Sequence, residues 1–197
     1  MERIELLINK YIKKQKPKIL HDLRVEARRI LSNLEKEGKI DLGLKTLLKN
    51  SSKLRDADVM LKICKHKEIK KYLKKKRKKL IKRFIKFLEN FESKIVELEN
   101  KKEYVNCKEI LNDTFLNKDD KTLHKIRIKI KKCRYTNEKY ENELKILQDF
   151  LGKAHDYYNC ERLLLKFNKN PKKAIKKKKK FIKKAENERI KLLNIIP

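Results

Sequence analysis

The chain has 197 residues, enough for one domain or two small halves, and carries 58 lysines and arginines against 27 acidic residues, a formal net charge of +31. Three glycines and three prolines are too few for the turns of an all-β or doubly wound fold, so an all-α fold is expected. No run approaches the roughly 18 apolar residues of a membrane span and the first residues lack a signal peptide's apolar core, so a cytoplasmic protein without membrane insertion is expected.

Hydrophobic periodicity predicts helices near 2–14, 19–37, 40–49 and 53–65, then a long charged helix over 67–100. Further helices are predicted near 102–116, 119–142, 143–151, 153–168 and 171–195. Pro17 and Pro171 suit helix starts, Asp119 suits an N-cap, and Gly38, Gly43 and Gly152 suit helix ends or tight connections.

The chain repeats itself. His21-Asp22-Leu23-Arg24-Val25-Glu26-Ala27-Arg28-Arg29 returns as His124-Lys125-Ile126-Arg127-Ile128-Lys129-Ile130-Lys131-Lys132, at an offset of 103 residues. A second block, Ser52-Lys53-Leu54-Arg55-Asp56, returns as Gly152-Lys153-Ala154-His155-Asp156 at an offset of 100. A duplication follows, with halves 1–100 and 101–197.

Helical phase sorts these residues into faces. Leu20, Leu23, Ala27, Ile30, Leu31 and Leu34 form a core stripe, and His21, Arg24 and Arg28 run beside it. In the second copy Leu123, Ile126, Ile130 and Cys133 face the core, with His124, Arg127, Lys131 and Arg134 alongside. Each basic stripe extends roughly 10–15 Å, the length of several consecutive phosphates. Arginine presents a fixed fork of donors to phosphate oxygens, and lysine a mobile point charge. Neighbouring cations oppose protonation of the histidines, and a bound polyanion reverses that preference.

Cys64, Cys107, Cys133 and Cys160 show no metal-binding spacing, so free thiols packed as small hydrophobes are expected, with no metal site and no cofactor. The runs Lys74–Lys79 and Lys176–Lys180 read either as solvated faces or as an extended field that steers polyanions. Asp56 and Asp156 recur with the motif. They read as N-terminal helix charges and orienters of the basic side chains rather than as a catalytic pair, so no enzymatic activity is expected.

The paired motifs His21-x-x-Arg24-x-x-x-Arg28-Arg29 and His124-x-x-Arg127-x-x-x-Lys131-x-x-Arg134-Tyr135, each followed by its second block, resemble the CHAD domain (conserved histidine α-helical domain) over nearly the whole chain. The resemblance implies one domain over 1–197, made of two four-helix-bundle-like repeats with pseudo-twofold symmetry around a basic central channel that binds inorganic polyphosphate. Carried over by position, the ligand-facing residues are His21, Arg24, Arg28, Arg29, Lys53, Arg55, His124, Arg127, Lys131, Lys132, Arg134, Lys153 and His155, with Tyr135 bonding phosphate or lining the channel wall. Leu31 stands where the pattern places a basic residue, and Tyr158 where the first copy keeps Asp58. Association with polyphosphate granules is compatible with this role. The alternative is a non-specific nucleic-acid-binding helical protein; it should interleave aromatic residues with the basic face, yet tryptophan is absent and most phenylalanines and tyrosines fall on core-facing positions.

Overall fold

The computed structural model describes residues 2–98, 106–136 and 138–196, with the side chains of all of these but 135, 136 and 138. The chain divides into two compact units, Met1–Lys102 and Glu103–Pro197, each with its own core. The described residues are mostly helical, and none of their helices is long and apolar enough to cross a membrane.

Unit 1 runs α1 (Glu2–Lys14), α2 (Pro17–Lys36), β1 (Lys39–Asp41), α3 (Leu42–Asn50), α4 (Ser52–Ile63), α5 (Lys67–Glu89) and β2 (Ile95–Glu97). Pro17 opens α2, where its fixed φ suits the first turn and its missing N–H leaves no donor orphaned. The expected core stripe holds: Leu20, Leu23, Ala27 and Leu31 are buried and pack with Ile4, Tyr11, Leu44, Leu47, Leu54 and Phe84.

Two expectations fail in this unit. The charged helix stops at Glu89 instead of reaching 100, because Asn90 turns back and donates from Nδ2 to Lys86 O at 2.9 Å. The chain then forms a small antiparallel ribbon within a fold expected to be wholly helical, pairing Lys39 with Glu97, Ile40 with Val96 and Asp41 with Ile95. The consecutive β-branched residues Ile95 and Val96 in β2 suit a strand, and the opposed Lys39–Glu97 charges favour this register. Asp41 links ribbon to helix: its Oδ1 accepts from Leu44 N at 2.9 Å as the cap of α3 and from Lys94 N at 3.3 Å. Gly43 is a close-approach glycine, since a Cβ there would lie 2.0 Å from Glu92 O.

Unit 2 runs α6 (Cys107–Asn112), α7 (Asp120–Thr136), a 3₁₀ turn (Glu138–Tyr140), α8 (Glu141–Lys166) and α9 (Lys172–Ile195). Asp119 caps α7 as expected, its Oδ1 accepting from Lys121 N at 2.7 Å and Thr122 N at 2.9 Å. The helix expected over 102–116 ends at Asn112, and its predicted start lies outside the described residues. Glu186 of α9 accounts for the early stop, accepting from Phe115 N at 2.8 Å and Thr114 Oγ1 at 2.9 Å while Arg189 donates to it at 2.7 Å. Leu111, Phe115, Ile130, Leu144, Leu147, Leu151, Ala185 and Leu192 fill the core.

The helices expected at 143–151 and 153–168 are one continuous helix, α8, so Gly152 and Asp156 lie in its interior and Asp156 is no N-terminal charge. The cysteines are not free thiols: Cys107 and Cys133 form a disulfide, and no described cysteine is unbonded. Their separation of 26 residues hides the pairing, but packing of α6 on α7 brings the Cα atoms to 5.7 Å.

Candidate anion-binding site

In unit 1, α2 and α4 carry the repeated motif. Arg24 is only 8% exposed, and its Nη1 donates to Leu48 O at 2.6 Å and to Ser51 Oγ. Ser51 Oγ in turn donates to Leu47 O at 2.7 Å. A hydroxyl bonded back to i−4, with a guanidinium bonded to the next carbonyl, bends a helix, and here it parts α3 from α4. Burial, then the Arg28 cation and, more weakly, Arg55 lower the pKa of Arg24 to about 10, with Asp56 opposing.

His21 stands on the same stripe. The residue as a whole is exposed, yet partial desolvation of its ring comes first in lowering its pKa, followed by Arg55, with Asp22 opposing and Arg28 and Lys62 adding. Asp56 is likewise exposed as a residue while desolvation raises its carboxyl pKa, against the pull of Arg24, Lys76 and Arg55. His21, Arg24, Arg28 and Arg55 therefore form one electrostatic group, joined by Lys62 and Lys76, which the motif did not include.

Arg29 and Lys53 stand apart from it. Arg29 donates from Nη2 to buried Glu26 at 2.6 Å, beside Arg3, because it lies a further 100° around α2 from Arg28. Lys53 is exposed and roughly 160° around α4 from Arg55.

In unit 2 the rings of His124 on α7 and His155 on α8 lie 4.6 Å apart between centroids, tilted by 30°. Burial, then His124 and Arg127, push the pKa of His155 down to about 4, with Asp120 opposing. The Nδ1 atoms of both histidines and the Nε of Arg127 are buried and have no hydrogen-bond partner among the described residues. Arg127 lies over Gly152, with its Nε 3.4 Å and its Nη2 3.7 Å from where a Cβ would stand. A side chain at position 152 would thus touch Arg127 at ordinary van der Waals distance.

The remaining residues diverge. Lys131 is half-buried one turn beyond Arg127, and Arg134 sits with its Nε 3.8 Å from Glu141 Oε1. Lys132 lines a separate hollow of about 490 Å³ on the α6 side, with Asn106, Asp113, Lys125 and Lys129. Lys153 turns towards α9, its Nζ 5.4 Å from the ring centre of Phe181 and 6.0 Å from that of Phe150. The side chain of Tyr135 lies outside the described residues. Tyr158, absent from the motif, joins the group around His155: its ring is 6.2 Å from that of His155 and carries Lys178 at 5.2 Å and Arg162 at 5.7 Å.

The lysine runs are not uniform. Lys178 bonds Asp120 Oδ2 at 2.9 Å and Glu161 Oε2 at 2.8 Å; desolvation works against its charge, but these two carboxylates win and raise its pKa. Lys172, Lys176, Lys179, Lys180, Lys183 and Lys184 instead share one face of α9, along an open groove of about 600 Å³.

No family model, curated protein or solved structure matches this chain.

Proposed function

We propose that this protein binds inorganic polyphosphate without turning it over. The reading rests on one observation: in each unit the repeated histidine is partly desolvated and stands beside arginines, and both effects oppose imidazole protonation. The unit 1 group is His21, Arg24, Arg28 and Arg55; the unit 2 group is His124, Arg127 and His155. Such a group is relieved by an anion that supplies several acceptor oxygens and no donors. A stripe of roughly 10–15 Å on each motif helix favours a chain of phosphates over a single one. Asp56, held among Arg24, Arg55 and Lys76, serves as charge balance rather than as a catalytic acid.

Titration calorimetry with polyphosphate of defined lengths, pyrophosphate and phosphate tests this. Affinity is expected to rise with chain length, to fall as salt rises, and to be accompanied by no phosphate release. Length-independent binding, or steady turnover abolished by Asp56→Asn, overturns it.

Nucleic acid is the second reading, and one observation favours it. Tyr157 stacks on Phe181 at 5.7 Å, and Lys153 and Lys184 lie over Phe150 at 6.0 and 5.6 Å, an interleaving of aromatic and basic side chains that suits base stacking. If single-stranded or duplex nucleic acid displaces long-chain polyphosphate at equal phosphate concentration, this second reading replaces the first.

A further inference from the structure

The two histidines of unit 2 present a particular chemical problem. Their rings face each other at 4.6 Å, and each has a buried Nδ1 with no partner among the described residues. A neutral imidazole offers one donor and one acceptor, whereas the bridging phosphates of a polyphosphate chain offer acceptors alone. A neutral pair therefore offers a phosphate at most one N–H from each ring, and each ring keeps one nitrogen that cannot donate until it gains a proton.

The surroundings decide when it can. From α7, Asp120, His124 and Arg127 act on His155; Tyr158 of α8 stands beside its ring and carries Arg162 and, from α9, Lys178, which also pairs with Glu161 of α8. Asp120 opposes the cations, but it and Glu161 are already bonded to Lys178 and offer only a shared countercharge. In the free protein burial, His124 and Arg127 hold His155 neutral at physiological pH. An oxyanion seated against Arg127 reverses the sign of the local field and makes the imidazolium both the favoured form and the better donor.

We propose that unit 2 seats phosphate oxygens at the His124–His155 pair with the uptake of about one proton from solvent, so that anion binding and imidazolium formation are one coupled event. The inference rests on the polyphosphate reading and adds to it a proton stoichiometry and a location. By linkage, affinity rises as pH falls, by at most about tenfold per pH unit for one proton, over the range between the bound-state and free-state pKa values of His155. Arg127 supplies the permanent charge, and the histidines make the grip pH-dependent.

The test is calorimetry with long-chain polyphosphate near pH 6.5 in buffers of low and high ionisation enthalpy. The dependence of observed heat on buffer enthalpy counts protons directly, whatever the affinity. About one proton is expected for the wild type and for His66→Gln, a histidine at the head of α5 outside both groups, falling towards zero in His155→Gln and His124→Gln. Binding with no buffer dependence overturns the inference and leaves the polyphosphate reading standing, as does a proton count unchanged in both unit 2 variants. No binding heat in any buffer, supported by no shift of melting temperature, overturns the polyphosphate reading itself and this inference with it.

Discussion

Arg24 and Arg127 hold the same place in the repeated motif and do different work. Arg24 is buried and closes the joint between α3 and α4, donating to Leu48 O and Ser51 Oγ. Arg127 lies across Gly152 on an unbroken α8, with a buried Nε that has no partner among the described residues. The cause is one position away: unit 1 has Ser51, whose hydroxyl bonds back to Leu47 O, whereas unit 2 has the apolar, buried Leu151. A guanidinium that meets a hydroxyl and a freed carbonyl becomes a strut; the buried Nε of Arg127 meets neither among the described residues. A repeated motif residue can serve as a ligand contact, as proposed for Arg127, only where the local backbone leaves its donors unclaimed.

The largest expected effect tests the strut. Arg24→Ala removes two hydrogen bonds from a buried charged donor and should lower stability by about 2–3 kcal/mol in urea unfolding. Arg127→Ala should cost less than about 1 kcal/mol yet weaken long-chain polyphosphate binding about tenfold, roughly 1.4 kcal/mol, by calorimetry. The reverse ranking breaks the comparison.

The next effect is pH-dependent. An unfolded imidazole titrates near 6.5, and His155 in the folded unit titrates near 4, so the unfolded state takes up the proton first as pH falls. The stability held by neutral His155 is complete above about 6.5 and is lost progressively towards 4. Thermal melts of the free protein should therefore drop between pH 7.5 and 5, less so in His155→Gln, and polyphosphate should shrink the drop. Glu186 adds a loss at lower pH: its burial raises its pKa, but donors from Arg189, Phe115 and Thr114 prevail and hold it below the usual value, so its stabilisation fades as pH falls through that lowered value.

A smaller effect sharpens the contrast from the glycine side. Gly152→Ala replaces a helix-interior glycine and should gain up to about 1 kcal/mol of helix propensity, while its Cβ touches the Arg127 guanidinium at 3.4 Å and narrows its freedom to turn towards an anion. Melting temperature should rise while affinity falls about two- to threefold, an opposition between stability and binding that Ser52→Ala in unit 1 should not show. The smallest effect is expected from Lys176, Lys179 and Lys180 changed together to alanine, leaving Lys178 in its carboxylate pair. Affinity should change by less than about twofold at physiological salt and more at low salt, because exposed charges act mainly through a screened field.

What could be read from the residues alone was whatever is settled within a few turns of chain. Pro17 at the head of α2, Asp119 capping α7, and the buried stripes Leu20–Leu23–Ala27 and Leu123–Ile130–Cys133 follow from local geometry and helical period. The doubled His-x-x-Arg spacing and the charge of +31 likewise belong to the sequence. Only tertiary structure decided where each donor ended: Arg24 in a helix joint, Arg29 on Glu26, Lys153 over the phenylalanines of α8 and α9, and His155 against His124. The same holds for the Lys39–Asp41 and Ile95–Glu97 ribbon, the Cys107–Cys133 disulfide and the unbroken α8. Each depends on partners tens of residues away, and helical phase records only which side of its own helix a residue occupies, not what packs there.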